Sequence, residues 1–175
     1  MKTTTKIVFV SAVLAFGATL GHAKDKNILP KDNAEFVNYG EESGWNIFVD
    51  KSRNTCLIER VDENTNVVQM GLTPDKEFGY IGVFTKADIE FEDDKVELLM
   101  DNKLYYGDTT AAPPNLADGY KGGYLLANNP DFVADVMERE AMIVMPESNF
   151  AFEVSLTGTK KAIEAARECN ASLTN

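Results

Sequence analysis

The sequence predicts a mainly β domain of the α+β class: an antiparallel sandwich or half-barrel of about eight short strands, with two helices. Three observations predict it. Short segments of alternating apolar and polar residues recur along the chain between turn residues, which is typical of antiparallel sheets. Two late segments carry helical spacing instead. The chain holds only two cysteines, Cys56 and Cys169, and in an exported chain they indicate a disulfide that pins the C-terminal helix.

The first predicted element is a hairpin in residues 44–60, GWNIFVDKSRNTCLIER. Its strands at 45–50 and 55–60 are rich in β-branched and aliphatic residues, and the four residues between them are turn formers. Trp45 lies in the opening strand, so we expect it in the core.

Further strands follow from the same alternation. In residues 87–92, for example, Ile89 and Phe91 alternate with acidic residues. Gly82, inside another strand, suggests a bulge or close packing. The further strands are expected at residues 67–72, 80–84, 87–92, 96–101, 103–106, 124–127, 141–145 and 150–156.

Two helices are predicted near the end of the chain. The first begins at Asn129-Pro130-Asp131, which has the form of an N-cap, a proline at the first helical position and an acidic first turn. The second spans residues 160–168, where alanines share one stripe with Cys169. That stripe directs Cys169 toward the sheet, where Cys56 can meet it.

Residues 1–23 have the three parts of a secretory signal: a basic start, an apolar run and small residues up to Ala23. A membrane anchor is the competing interpretation, because the uncharged run is at the lower edge of a spanning length. Cleavage after Ala23 leaves a polar leading segment at 24–43, a single β-rich domain at 44–170 and a tail at 171–175. We expect a periplasmic or secreted protein that does not insert in the membrane after cleavage.

Composition excludes several function classes. The net charge of −11 becomes −13 once the signal and its two lysines are removed. Such a chain repels nucleic acid and anionic lipid and attracts cations, so a cationic protein is one expected partner and an envelope component is the other. The alternative is that the charge only keeps an exported protein soluble. His22, the only histidine, lies in the signal, which removes histidine-based catalysis and histidine-ligated zinc from the mature chain. No catalytic residue, cofactor or metal site is predicted.

The best candidate binding site is a predicted irregular loop at residues 107–123, which contains two prolines and four glycines. Long loops in compact domains are often functional. Tyr120, Lys121 and Tyr124 offer apolar area, hydroxyl groups and a cation, which suit recognition. The alternative is a long crossover connection whose tyrosines are structural.

A second candidate is the acidic cluster formed by Glu90, Glu92, Asp93, Asp94 and Glu97. It is interpreted as a solvated hairpin tip that discourages edge pairing. A weak cation site or a carboxylate pair for hydrolysis stays open as the functional alternative.

The chain also resembles a known group of proteins. The residues that carry the resemblance are GWNIFVD at 44–50, Cys56, FEVSLTG at 152–158 and the Ala-rich helix that ends at Cys169. They are similar to small, exported, largely uncharacterised proteins of Gram-negative bacteria and, more remotely, to the invasion-associated locus B family. The resemblance covers about residues 44–170 and implies a periplasmic or secreted β-rich domain, without any catalytic residue.

The expected function is therefore a non-enzymatic binding or interaction domain whose partner the sequence does not name. A carboxylate-based hydrolase or lyase that works without histidine is the alternative. A pair of carboxylates in a cleft would favour the enzyme.

Overall fold

The structure, a computed structural model, describes residues 28–31, 33–116 and 118–173. The predicted signal at 1–23 lies outside these ranges. Within them the chain forms ten strands and two α-helices, and neither helix is long and apolar enough to cross a membrane. The elements are β1 (Phe36–Glu42), β2 (Trp45–Asp50), β3 (Thr55–Val61), β4 (Val67–Leu72), β5 (Gly79–Thr85), β6 (Lys95–Met100), β7 (Lys103–Thr110), β8 (Lys121–Ala127), α1 (Pro130–Glu138), β9 (Ala141–Val144), β10 (Phe152–Ser155) and α2 (Thr159–Ser172).

All ten strands belong to one open antiparallel sheet in the order β1-β2-β3-β4-β5-β8-β7-β6-β9-β10. The predicted class, a mainly antiparallel β fold with two helices, is confirmed. The sheet curls on itself. The Trp45 indole in β2 donates a hydrogen bond of 3.2 Å to the carbonyl of Thr157, just beyond β10 at the other end of the strand order.

The main core fills the inner face of this sheet, which α2 covers. Side chains from both halves of the sheet meet there, among them Trp45, Ile58 and Leu98, each fully buried. A smaller cluster of Val67, Tyr80, Phe84 and Tyr124 occupies the outer face. The alternation along β3 to β5 therefore buries both faces, which explains why those strands contain few charged residues.

The predicted disulfide between Cys56 and Cys169 is present, with the two Cα atoms 6.0 Å apart. It joins β3 to α2. Asn170 strengthens the same junction, because its side-chain oxygen accepts the Cys56 amide at 3.0 Å. α2 runs to Ser172, beyond the predicted end at 168 and into the predicted tail.

Two predicted boundaries are wrong. The predicted strand at 87–92 is irregular and leads into a short 3₁₀ helix, Glu92–Asp94, in which Asp93 and Asp94 have positive φ. Its alternation was too short to secure a neighbouring strand, and the Ile89 amide bonds to the Ala87 carbonyl in a turn. The predicted irregular loop at 107–123 is shorter than expected, because β7 continues to Thr110 and β8 begins at Lys121.

The polar leading segment is also not irregular throughout. From Phe36 onward it forms β1, an edge strand paired with β2. Val37 and Tyr39 remain 38% and 50% exposed. Since an edge strand needs little burial, it carries little apolar alternation, and this is why the pattern did not predict it.

Candidate functional site

Tyr124, one of the predicted binding residues, is a core residue of the outer face. Its side chain is 2% exposed and packs edge-on against Tyr80 and Phe84, with ring centroids 5.4 and 5.2 Å away. Its hydroxyl donates to Gln69 Oε1 at 2.6 Å. Burial raises the pKa of Tyr124 well above its ordinary value. A ring held in this way does not offer a surface for a partner.

Two glycines create the room for these rings. A Cβ on Gly82 would lie 2.3 Å from a carbon of the Tyr124 ring, and a Cβ on Gly71 would lie 2.5 Å from the Tyr80 hydroxyl. Each tyrosine thus lies across the glycine of the neighbouring strand. The close packing predicted at Gly82 is confirmed.

Tyr120 and Lys121 are near Tyr124 in sequence, but each is engaged within the fold. The Tyr120 hydroxyl donates to the Thr65 carbonyl at 2.8 Å, and the Lys86 ammonium lies 4.8 Å from the Tyr120 ring centroid. Lys121 pairs with Asp88 at 3.0 Å. These contacts hold the 111–120 loop against its neighbours and favour the alternative interpretation, in which the tyrosines are structural.

The loop covers a buried polar layer on the outer face. Glu59 Oε2 accepts from Gln69 Nε2 at 2.7 Å and from the loop residue Asn115 at 3.0 Å. Nearby, Arg53 and Asp50 form a buried ion pair of 3.0 Å. Burying such groups is costly unless they are paired. The hydrogen bond from Asn115 to Glu59 therefore attaches the loop to this layer.

The acidic cluster is solvent-facing. Glu90, Glu92, Asp93 and Asp94 are exposed, and Glu97 is half-buried. Burial first, and then the charges of Glu147 and Glu92, raise the pKa of Glu97. Among the described residues, no group of three or more histidine, cysteine, aspartate or glutamate side chains is placed to hold a metal ion.

The feature that sequence reasoning missed is an apolar cavity of about 120 Å³ between the inner face and the two helices. Ile58, Met70 and Ile81 form its floor on the sheet. Phe132 and Val136 line it from α1, and Ile163 and Ala166 line it from α2.

Small residues keep the cavity open. Gly79 and Ala127 lie along its sheet side, where larger side chains would fill the space. The helical stripes of α1 and α2 predict two buried faces. They do not predict that those faces stand apart, because helix separation depends on tertiary packing.

The α1 wall is fixed by a buried carboxylate. Asp135 accepts a hydrogen bond from the Tyr105 hydroxyl at 2.7 Å and one from Lys103 at 3.0 Å, both residues of β7. The Arg139 guanidinium donates a third hydrogen bond, of 3.4 Å, to Asp135 Oδ1. The hydrogen bond from Tyr105, followed by the one from Lys103, lowers the pKa of Asp135. Burial and that same bond raise the pKa of Tyr105 to about 12.

The geometry suits binding of an apolar group more than chemistry. Within the described part of the chain, the lining contains no carboxylate, and its cysteine is in the disulfide. Comparison of the chain with protein-family models, with curated proteins and with solved structures found no match. The resemblance to small exported proteins stays a prediction from the sequence motifs.

Proposed function

We propose that the protein is an exported, non-enzymatic binding domain that takes a small apolar ligand in the cavity between α1, α2 and the sheet. The cavity itself supports the proposal. It is lined almost entirely by aliphatic and aromatic side chains, as ligand pockets are. An engineered apolar cavity of about 150 Å³ binds benzene, so a volume of this order suits one ring or a short branched chain.

Elements that are firmly anchored surround the cavity. Cys56, on the sheet side, is bonded to Cys169 of α2, and Asp135 ties α1 to β7. Walls that are already in place lower the ordering cost of binding.

A carboxylate-based hydrolase is the rival proposal, and the cavity does not support it. Glu97 has the raised pKa that a general acid needs, but neither Glu97 nor its neighbours Glu92 and Glu147 line the cavity. The disulfide is compatible with a periplasmic or extracellular location. Export and a cationic partner remain proposals from the signal pattern and the charge of −11.

Filling the cavity tests the proposal. In Ala166→Leu the new side chain occupies the space beside Ile163 and Met70. We expect toluene to shift the methyl NMR signals of Met70 and Ile163 in the mature wild-type protein and to leave them unchanged in the variant. The variant should be as stable as the wild type or more stable by about 1 kcal/mol, since cavity filling commonly stabilises.

Ala165→Leu is the matched control, because Ala165 is on the same helix and does not line the cavity. It should keep the toluene response. If toluene shifts the two methyl signals equally in Ala166→Leu, or shifts neither in the wild type, this cavity does not bind an apolar ligand.

A further inference from the structure

The polar groups at the cavity mouth indicate the chemistry of the ligand, and this step rests on the proposed function. The described residues of the lining include three polar side chains besides the disulfide: Tyr80, Arg167 and Asn170. Two of them are directed elsewhere. Asn170 donates to the Ala166 carbonyl at 2.8 Å and accepts the Cys56 amide. The Tyr80 hydroxyl lies over Gly71 on the outer face of the sheet.

Arg167 is different. It is exposed at the mouth, and it makes no hydrogen bond or ion pair with any residue that the structure describes. Among the residues that the structure describes, no other cation and no carboxylate belongs to the lining. The mouth therefore presents one guanidinium whose donors are available to a ligand.

We propose that the ligand is a small monocarboxylate. Its apolar group, about the size of a benzene ring, fills the cavity, and its carboxylate pairs with Arg167 at the mouth. The planar guanidinium matches a carboxylate with two parallel hydrogen bonds. Arg167 would repel a cationic ligand, and a neutral ligand would gain only the apolar contacts.

The charge of the whole protein sharpens this specificity. The chain is strongly acidic, so its general field disfavours anions and only a local cation can select one. Because Arg167 is exposed, the pairing should weaken as salt is added, while the apolar contacts should not.

Three probes of one shape separate these contributions in the mature, oxidised protein: phenylacetate, phenylacetamide and benzylamine. Titrations followed by the Met70 and Ile163 methyl signals should give the wild type about a threefold to fivefold preference for phenylacetate over phenylacetamide, as expected for an ion pair with an exposed arginine. Benzylamine should bind more weakly than phenylacetamide. Added salt should reduce the preference for the acid.

Variants assign the preference to the side chain. Arg167→Gln should remove the preference for phenylacetate and leave the phenylacetamide affinity unchanged. Arg167→Lys should keep part of it. Lys161→Gln is the control, because it makes the same charge change on the same helix at an exposed residue outside the cavity lining.

The possible failures are distinct. Equal affinities for the acid and the amide, or a preference that survives in Arg167→Gln, would overturn the carboxylate assignment while apolar binding stands. If none of the three probes, nor toluene, shifts the Met70 and Ile163 signals, both the ligand class and the proposed function are wrong.

Discussion

At the scale of single residues, Arg60 joins parts of the chain that are far apart in sequence. Its guanidinium lies 4.4 Å from the ring centroid of Trp45. It donates to the Ser43 and Gly44 carbonyls beside β2 and to the Ser155 and Thr157 carbonyls at the end of β10, at 3.0 to 3.1 Å. Partial burial lowers the pKa of Arg60. Arg60 thus bridges the two ends of the curled sheet, beside the hydrogen bond from Trp45 to Thr157.

Replacing this arginine should open that junction. Arg60→Lys keeps the charge but loses the planar guanidinium, so the new side chain cannot donate hydrogen bonds to all four carbonyls. We expect a loss of roughly 1–2 kcal/mol in the free energy of unfolding, measured by urea denaturation. Lys161→Ala, at an exposed residue on α2, should change it by less than about 0.5 kcal/mol. An unchanged midpoint in Arg60→Lys would show that charge alone is enough.

At the scale of elements, apolar alternation and capping residues predicted the strands and helix starts that depend on nearby residues. The hairpin of β2 and β3 and the start of α1 are as expected, and Asn129 accepts the Asp131 amide as an N-cap. β1 was missed, because an exposed edge strand has no strong pattern. Residues 87–92 were wrongly predicted to form a strand, because a short alternation does not guarantee a partner strand. The cavity and Arg167 could not be inferred, since both depend on how far α1 stands from α2.

The hydrogen bonds of Asp135 attach α1 to β7, and their contribution to stability should depend on pH. The pKa of Asp135 lies below its usual 3.8 in the folded protein, because the carboxylate is the form that accepts the bonds from Tyr105 and Lys103. Its contribution to stability is therefore complete above the unfolded pKa and is lost as the pH falls through the lower folded value. Asp135→Asn should lose roughly 1–2 kcal/mol at pH 7, measured by urea denaturation.

The same variant should expose the α1 amides to faster hydrogen exchange, because the bonds to β7 hold the helix. Asp131→Asn, in the first turn of α1, is the control and should cost less. A difference between Asp135→Asn and the wild type that is as large at pH 3 as at pH 7 would show that the charge of Asp135 is not what fixes the helix.

At the scale of the whole molecule, the single sheet carries a layer of buried side chains on each of its two faces. Its inner face carries the main core, the helices and the cavity, and its outer face carries the tyrosine cluster beneath the 111–120 loop. In the sheet, β5 is followed by β8, β7 and β6, the reverse of their order in the chain. The neighbour of β5 is therefore β8, a strand that is distant from it in sequence. Such pairing could not be read from the alternation, since every strand has the same local signature.

The disulfide attaches α2 to the inner face of the sheet, and its removal should affect both stability and binding. Cys56 and Cys169 are 113 residues apart, and closing so long a loop stabilises by about 4–5 kcal/mol in chain-entropy treatments. Cys56 also lines the cavity. Without the disulfide, α2 is held less firmly on the sheet, so the cavity should bind toluene less tightly. Dithiothreitol should lower the urea midpoint of the wild type but not that of the Cys56→Ala/Cys169→Ala variant, which should start near the reduced wild type. A wild-type midpoint that does not move, although alkylation shows both thiols free, would mean that packing alone holds α2 on the sheet.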